Sequence, residues 1–173
     1  MAADRMHRMV LFSLLGTVMY AAKMAMAGLP NIEPVSLLVI VYTLVFGRKA
    51  LLPIYIYVAL ELVTWGFGLW NICYLYVWLV LFAVTTALQR MDSPLGWAVV
   101  SGAFGLCFGL LCAPVTLAVG GWAAAVSWWV SGIPYDLTHC AGNFAVALLL
   151  YRPCVSVLRR LSAGALGGAG GRS

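Results

Sequence analysis

Four ionisable side chains, Lys23, Glu33, Glu61 and Asp136, stand inside or beside long apolar runs in a chain that holds only ten Lys and Arg and five Asp and Glu. Where such runs enter hydrocarbon an ionised group is expensive, and it is kept where it lines a cavity or meets an opposite charge. Within Gly132-Ile133-Pro134-Tyr135-Asp136-Leu137-Thr138-His139-Cys140-Ala141-Gly142-Asn143, the residues Asp136, His139 and Asn143 recur at i, i+3 and i+7. That spacing lays a carboxylate, an imidazole and an amide along one helical face. Pro134 suits the first turn of a helix beginning there, with Asp136 near the positive end of its dipole. The chemistry on offer is the capture of a small polar molecule. The same residues also allow a plainer use, in which Asp136 caps a helix, His139 and Asn143 bond neighbouring helices, and Lys23 with Glu61 forms a structural ion pair.

Aromatic residues crowd the neighbourhood of these charges: Trp65, Phe67, Trp70, Tyr74 and Tyr76, then Trp122, Trp128, Trp129 and Tyr135. Many Trp and Tyr at such positions anchor a membrane interface, and the rest offer flat walls for a ring-bearing ligand. The candidate ligand-binding set is Lys23, Asn31, Glu33, Glu61, Trp65, Trp70, Asn71, Tyr74, Trp129, Tyr135, Asp136, His139 and Asn143.

The elements that must position these residues are membrane helices. The chain is 64% hydrophobic and 9% charged, with a mean hydropathy of +1.01. In water that surface would form large exposed apolar patches, whereas a bilayer core of roughly 30 Å accepts it. Apolar stretches run over about 10–27, 35–46, 51–65, 72–88, 95–119 and 134–158. Backbone amides in hydrocarbon must be satisfied within their own segment, and the period-two alternation of a barrel is absent, so the runs are read as six helices. The second is short for a span. It is expected to be distorted, shielded by neighbours, or extended past Pro34.

Basic residues mark every second connection: Arg5 and Arg8, Arg48 and Lys49, Arg90, and Arg152, Arg159, Arg160 and Arg172. Under the positive-inside rule both termini are cytoplasmic, and Lys23, Glu33, Glu61 and Asp136 fall at similar depth on the outer side. This gives a cytoplasmic N-terminus over 1–9, a six-helix membrane domain with an outward pocket over 10–160, and a flexible Gly-rich tail over 161–173. A cleavable signal ending at Ala25-Met26-Ala27 is the lesser reading of the N-terminus, because Lys23 interrupts the apolar run. The net charge of +5 is a topology signal and no nucleic-acid surface, since the basic residues sit in small groups between apolar runs. Cys73, Cys107, Cys112, Cys140 and Cys154 are odd in number, with no C-x-x-C pair, and read as buried structural residues.

Ser13, Thr17, Ala21 and Ala25 follow one another at i+4 steps. Such a ridge of small side chains admits close approach of another helix, either within this protein or from a partner subunit.

Taken in order, Leu29-Pro30-Asn31-Ile32, Phe67-Gly68-Leu69-Trp70 with Tyr74-Leu75-Tyr76, and Gly132-Ile133-Pro134-Tyr135-Asp136 with His139 and Asn143 resemble the substrate-specific S components of energy-coupling factor (ECF) transporters over about residues 8 to 160. The resemblance implies a vitamin-binding subunit of the bacterial cell membrane. Such a subunit captures its ligand outside, docks through helix 1 on a transmembrane coupling protein driven by two cytoplasmic ATPases, and tilts to deliver inward. Ser13, Thr17, Ala21 and Ala25 are the positions matching the docking motif, without the strict alanine pair. Members that take nickel or cobalt carry a histidine at the second residue, where this chain has Ala2, so no metal and no cofactor is expected. Cobalamin, a thiamine-like heterocycle or a modified nucleobase would fit. The chain has no Gly-x-x-x-x-Gly-Lys phosphate loop of its own. Competing readings are a stand-alone secondary transporter and an intramembrane enzyme using Glu61, Asp136 and His139, although no H-E-x-x-H or G-x-S-x-G pattern supports catalysis.

Overall fold

The computed structural model describes residues 2–29 and 31–167, and among them every regular element is helical. The helices are α1 (Ala2–Ala25), α2 (Val35–Phe46), α3 (Leu51–Trp65), α4 (Leu69–Ala87), α5 (Pro94–Leu106) and α6 (Phe108–Gly167), with a 3₁₀ turn over Gly47–Ala50. Four stretches, Arg5–Ala25, Val35–Trp65, Leu69–Ala87 and Pro94–Ala163, are long and apolar enough to cross a membrane. Their outer faces carry side chains that water would reject, among them Val63, Val119, Trp122 and Leu149, each more than two-thirds exposed.

Two of the four stretches fold back on themselves. At Gly47 (φ 57°) and Gly121 (φ 75°) the backbone enters a region that glycine reaches without a Cβ clash. Gly121 divides α6 into a proximal arm, 108–120, and a distal arm, 122–167. The proximal arm continues α5, because Cys107 between them still donates to Ala103 O and its carbonyl accepts from Leu111. The distal arm then returns antiparallel. Trp97 stacks on Tyr151, a Cβ at Gly102 would touch Cys140 and Phe144, and Gly109 meets Asp136.

Pairwise contacts fix the other directions. Phe12 packs on Phe46 and Leu15 O accepts from the Tyr42 hydroxyl, so α2 runs against α1. Gly16 lies on Pro53 and Ile56 while Lys23 reaches Glu61, so α3 runs with α1. Tyr55 and Tyr57 meet Leu75 and Tyr74 across the short turn into α4. Cys73 and Trp78 meet Cys112 and Phe104, so the rod 94–120 opposes α4. Six rods of alternating direction result.

α2 is only about 18 Å long at 1.5 Å per residue, and nine consecutive residues, Val35 to Thr43, are buried. Its neighbours are α1, α4, α5 and α6, so of the three expectations for this segment the structure shows shielding. Its Val- and Ile-rich composition would suit a strand in water, but at the centre of an apolar bundle the helix alone satisfies its own backbone. Helix starts follow local chemistry. Ser93 caps α5, accepting from Gly96 N at 3.1 Å with Pro94 behind it, and Pro53 falls within the first turn of α3, where no amide bond is lost.

The expected helix start at Pro134 is not met. The distal arm begins at Trp122 and carries Pro134 in its interior, where the carbonyl of Pro134 accepts from the Thr138 hydroxyl at 2.7 Å. The carbonyl that loses its donor to Pro134 is that of Val130, one turn earlier, and membrane helices tolerate such an internal proline. At the other end the helix persists through the first part of the expected tail to Gly167. Pro30, Arg172 and the rest of the tail lie outside the described residues.

Glycine packing between the two longest rods gives the first test. A Cβ at Gly105 would stand 2.8 Å from the carbonyl carbon and oxygen of His139, backbone atoms that cannot swing aside, whereas one at Gly28 would meet nothing within 4 Å. Gly105→Ala is expected to cost about 1–3 kcal/mol and to lower the thermal midpoint in detergent, with Gly28→Ala near wild type. Equal midpoints would contradict this packing.

Candidate functional site

At the end of the bundle formed by the C-termini of α1 and α3 and the N-terminus of α4, a cavity of about 650 Å³ opens beside the distal arm. The cluster that closes one side is ionic. The Lys23 ammonium donates to Glu61 Oε2 at 2.7 Å and to the Tyr74 hydroxyl at 3.1 Å, and lies 5.1 Å from the Tyr74 ring centroid. Glu61 is 4% exposed. One helical turn away the hydroxyls of Tyr20 and Thr64 are 2.7 Å apart, so α1 and α3 are pinned twice at this end.

The opposite side depends on a helix interruption. Cys107, at φ −89° and ψ 0°, ends α5, and the ladder restarts at Phe108. Gly109, in the first turn after the restart, has an amide with no intrahelical carbonyl to reach. It donates instead to Asp136 Oδ1 at 3.0 Å. Asp136 thus meets the positive end of a helix dipole, but that of the proximal arm, and the expectation that it caps its own helix is corrected. A Cβ at residue 109 would fall 2.5 Å from Asp136 Oδ2, so glycine is what lets the carboxylate approach.

The loop between α1 and α2 forms the lid of the cavity. Asn31 adopts φ 59°, a left-handed conformation that asparagine tolerates better than most residues. Its carbonyl and Ile32 settle on the bare face of Gly142. Glu33 is thereby brought within 3.9 Å of His139 Nε2, beyond hydrogen-bond distance. Burial pushes the Glu33 carboxyl above the usual carboxylate range, with Lys23 pulling the other way. His139 presents its ring edge-on to Phe108 at 5.1 Å between centroids.

Of the residues selected from sequence, Lys23, Asn31, Glu33, Trp65, Trp70, Tyr74, Tyr135, Asp136 and His139 converge on the cavity. Four do not reach its wall. Glu61 stands behind Lys23 as its counter-ion. Asn71 accepts from Gly68 N at 3.2 Å and serves the start of α4. Trp129 points outward at 40% exposure while its neighbour Trp128 lines the cavity and packs against Trp70, 5.0 Å between ring centroids. Asn143, 1% exposed, donates to Ser36 Oγ and Ser101 O and ties α2, α5 and the distal arm together. Asp136, His139 and Asn143 do share one buried face, with the first two at the cavity and the third below it.

The structure adds Phe108 and Trp128, which complete the aromatic wall with Trp70, and Met24 and Met26 on the α1 side. A break at Cys107 has no signature in residue type, and Trp128 differs from Trp129 only by helical phase. Among the described residues no group of three His, Cys, Asp or Glu is placed to hold a metal ion. Compared with protein-family models, with curated proteins and with solved structures, the chain shows no match.

The arrangement can hold a small flat molecule against the aromatic wall while offering carboxylate and imidazole atoms at its edge. Its rigidity on the α1–α3 side depends on the Lys23–Glu61 pair, which a double-mutant cycle can isolate. Lys23→Met and Glu61→Met are each expected to destabilise the protein in detergent, by leaving a charge without its partner. The double variant should recover about 1–3 kcal/mol relative to additivity. Strict additivity of the unfolding midpoints would show that the two charges do not support each other.

Proposed function

We propose that this chain is the substrate-binding membrane subunit of an ECF-type importer, with six membrane crossings and both termini in the cytoplasm. The observation that carries the reading is the position of the cavity. It lies between the α1–α2 loop and the α3–α4 turn, at the end of the bundle opposite the connections that hold Arg48, Lys49 and Arg90. Under the positive-inside rule the basic end faces the cytoplasm and the cavity faces outside. Alternating rods, a shielded short α2 and a loop folded over the cavity support a protein that captures a small molecule from the exterior. The ligand class is a vitamin or related micronutrient.

The surface of α1 favours delivery through a partner over a carrier acting alone. Ser13, Thr17, Ala21 and Ala25 are all exposed, and the Thr17 hydroxyl is satisfied within the helix by Ser13 O at 3.0 Å. The internal contacts of α1 with α3 are made by other residues, Gly16 against Ile56, Tyr20 with Thr64 and Lys23 with Glu61. The ridge of small side chains is therefore left free for an outside helix, in keeping with docking on a transmembrane coupling protein powered by two ATPases.

Two measurements test this. Mass spectrometry of the chain purified in detergent should find a bound small molecule, and uptake in cells should require the coupling protein and the ATPases. Uptake by the chain alone in ATP-free vesicles would replace the proposal with a secondary transporter, and turnover of a substrate by the isolated chain would replace it with an enzyme. For docking, Ala21→Leu is expected to abolish complex assembly and transport while ligand binding by the isolated subunit stays within about twofold, a difference of under ~0.5 kcal/mol. Loss of binding as well would place the ridge inside the protein's own packing.

A further inference from the structure

We propose that the cavity is built for a planar aromatic cation that carries N–H donors. The inference rests on the reading of this cavity as a ligand site and goes on to name the charge and shape of its occupant.

The charge balance decides the sign. One ammonium and three carboxylates, those of Glu33, Glu61 and Asp136, gather at this end of the bundle. The ammonium is already committed, held by Glu61 at 2.7 Å and by the Tyr74 hydroxyl at 3.1 Å. Lys23 itself lines the wall, but its charge is balanced by that of Glu61, which leaves the carboxyls of Glu33 and Asp136 in excess there. Among the described residues the other ionisable side chains at that wall are those of Tyr74, Tyr135 and His139, and His139 Nε2 stands 3.9 Å from Glu33. The wall is left with one negative charge in excess when both carboxyls are ionised and the imidazole is charged, and equally when Glu33 and the imidazole are both neutral. An anionic ligand would bring like charge against two carboxylates in a site of low dielectric, where repulsion is far stronger than in water.

Hydrogen bonding decides the donors. Asp136 Oδ1 is occupied by the Gly109 amide, while Oδ2 is buried with no partner. A buried acceptor without a donor is costly, and a carboxylate oxygen more so than a neutral one. His139 Nε2 is likewise buried and unpartnered. A ligand edge bearing a charged N–H group would satisfy Asp136, and its neighbouring atom would meet the imidazole in whichever protonation state complements it.

The rings decide the shape. Trp70 stands 5.0 Å from Trp128 and 6.5 Å from Phe108, the latter pair nearly parallel. Aromatic faces attract cations as well as flat apolar rings, and about 650 Å³ suits a ligand of one to a few rings. A bare metal ion would leave this wall without a role.

Three probes of nearly one shape separate the possibilities: 4-aminoquinoline, a cation at neutral pH, 1-naphthylamine, which is neutral, and 1-naphthoate, an anion. Binding to the full-length chain in detergent is followed by quenching of tryptophan fluorescence, with empty micelles as the blank for partitioning. The cation is expected to bind at least about tenfold more tightly than the neutral probe, a gap of ~1.4 kcal/mol, and the anion most weakly. Asp136→Asn, which keeps an acceptor for the Gly109 amide, and Glu33→Gln, which lies in the loop, should each narrow the gap between cation and neutral probe. Equal or tighter binding of the neutral or anionic probe, no binding of any probe, or an undiminished gap in both variants would overturn the proposal. Uptake assays separate the two readings. A cation preference without any need for a coupling protein and ATPases removes the importer and leaves this inference standing. The reverse result removes only the inference.

Discussion

The Lys23–Glu61 bond is the interaction on which the rest of the site depends. Two opposite charges at the apolar ends of α1 and α3 are each costly in hydrocarbon, and together at 2.7 Å they cancel most of that cost only while the helices keep their register. The pair therefore acts as a geometric constraint before it acts as a source of stability. It aligns α1 with α3, draws the Tyr74 hydroxyl and ring toward the same point, and so sets where α4 begins. Because the charge of Lys23 is balanced by Glu61, the carboxyls of Glu33 and Asp136 are in excess at the cavity. The electrostatic character of the cavity is thus a by-product of how two helices are fastened.

On the far side the corresponding device is made from backbone. A continuous helix from Pro94 to Gly120 would bind every amide internally and offer nothing to Asp136. The interruption at Cys107 frees the Gly109 amide, and the lack of a side chain there lets the carboxylate reach it. One wall is held by a side-chain ion pair and the other by a helix terminus within the membrane domain. The α1–α2 loop spans the two, with Asn31 turning it down onto Gly142 and Glu33 delivered as the only acidic group from the loop.

Much of this was legible in the sequence for a simple reason: ionisable residues are rare here, and each must be explained. Lys23, Glu33 and Asp136 were selected by cost alone, and all three line the cavity, while Glu61 was selected on the same ground and stands one layer back. The six apolar runs and the alternation of basic connections foreshadowed the rods of alternating direction, and the shortness of the second run pointed to the helix that the bundle buries. Where the reading failed, the information is tertiary. Pro134 looks like a helix start because local sequence carries no sign that the helix has already begun at Trp122 and runs through it. Trp129 in place of Trp128 is an error of about 100° of helical phase, invisible until the true start at Trp122 is known. Asn143 lies on the predicted face, yet whether an amide on that face meets a ligand or Ser36 depends on how closely α2 approaches.

The central position of α2 has a further consequence for α1. A twelve-residue helix surrounded by α1, α4, α5 and α6 occupies the place a longer span would hold, while one face of α1 stays exposed. Gly16 anchors α1 to α3 through a contact that a Cβ would forbid, and the ridge at Ser13, Thr17, Ala21 and Ala25 turns away. In a bilayer, small side chains facing lipid gain nothing over leucine, since association there is driven by close packing and hydrogen bonding. The exposed small residues at regular steps along α1 are what the proposed docking on a second helix draws on. The ligand cavity and this ridge meet at one residue pair, Lys23 with Glu61, because the helix that displays the ridge also carries the lysine. A partner that shifts α1 along α3 would act first on that bond and through it on the cavity wall.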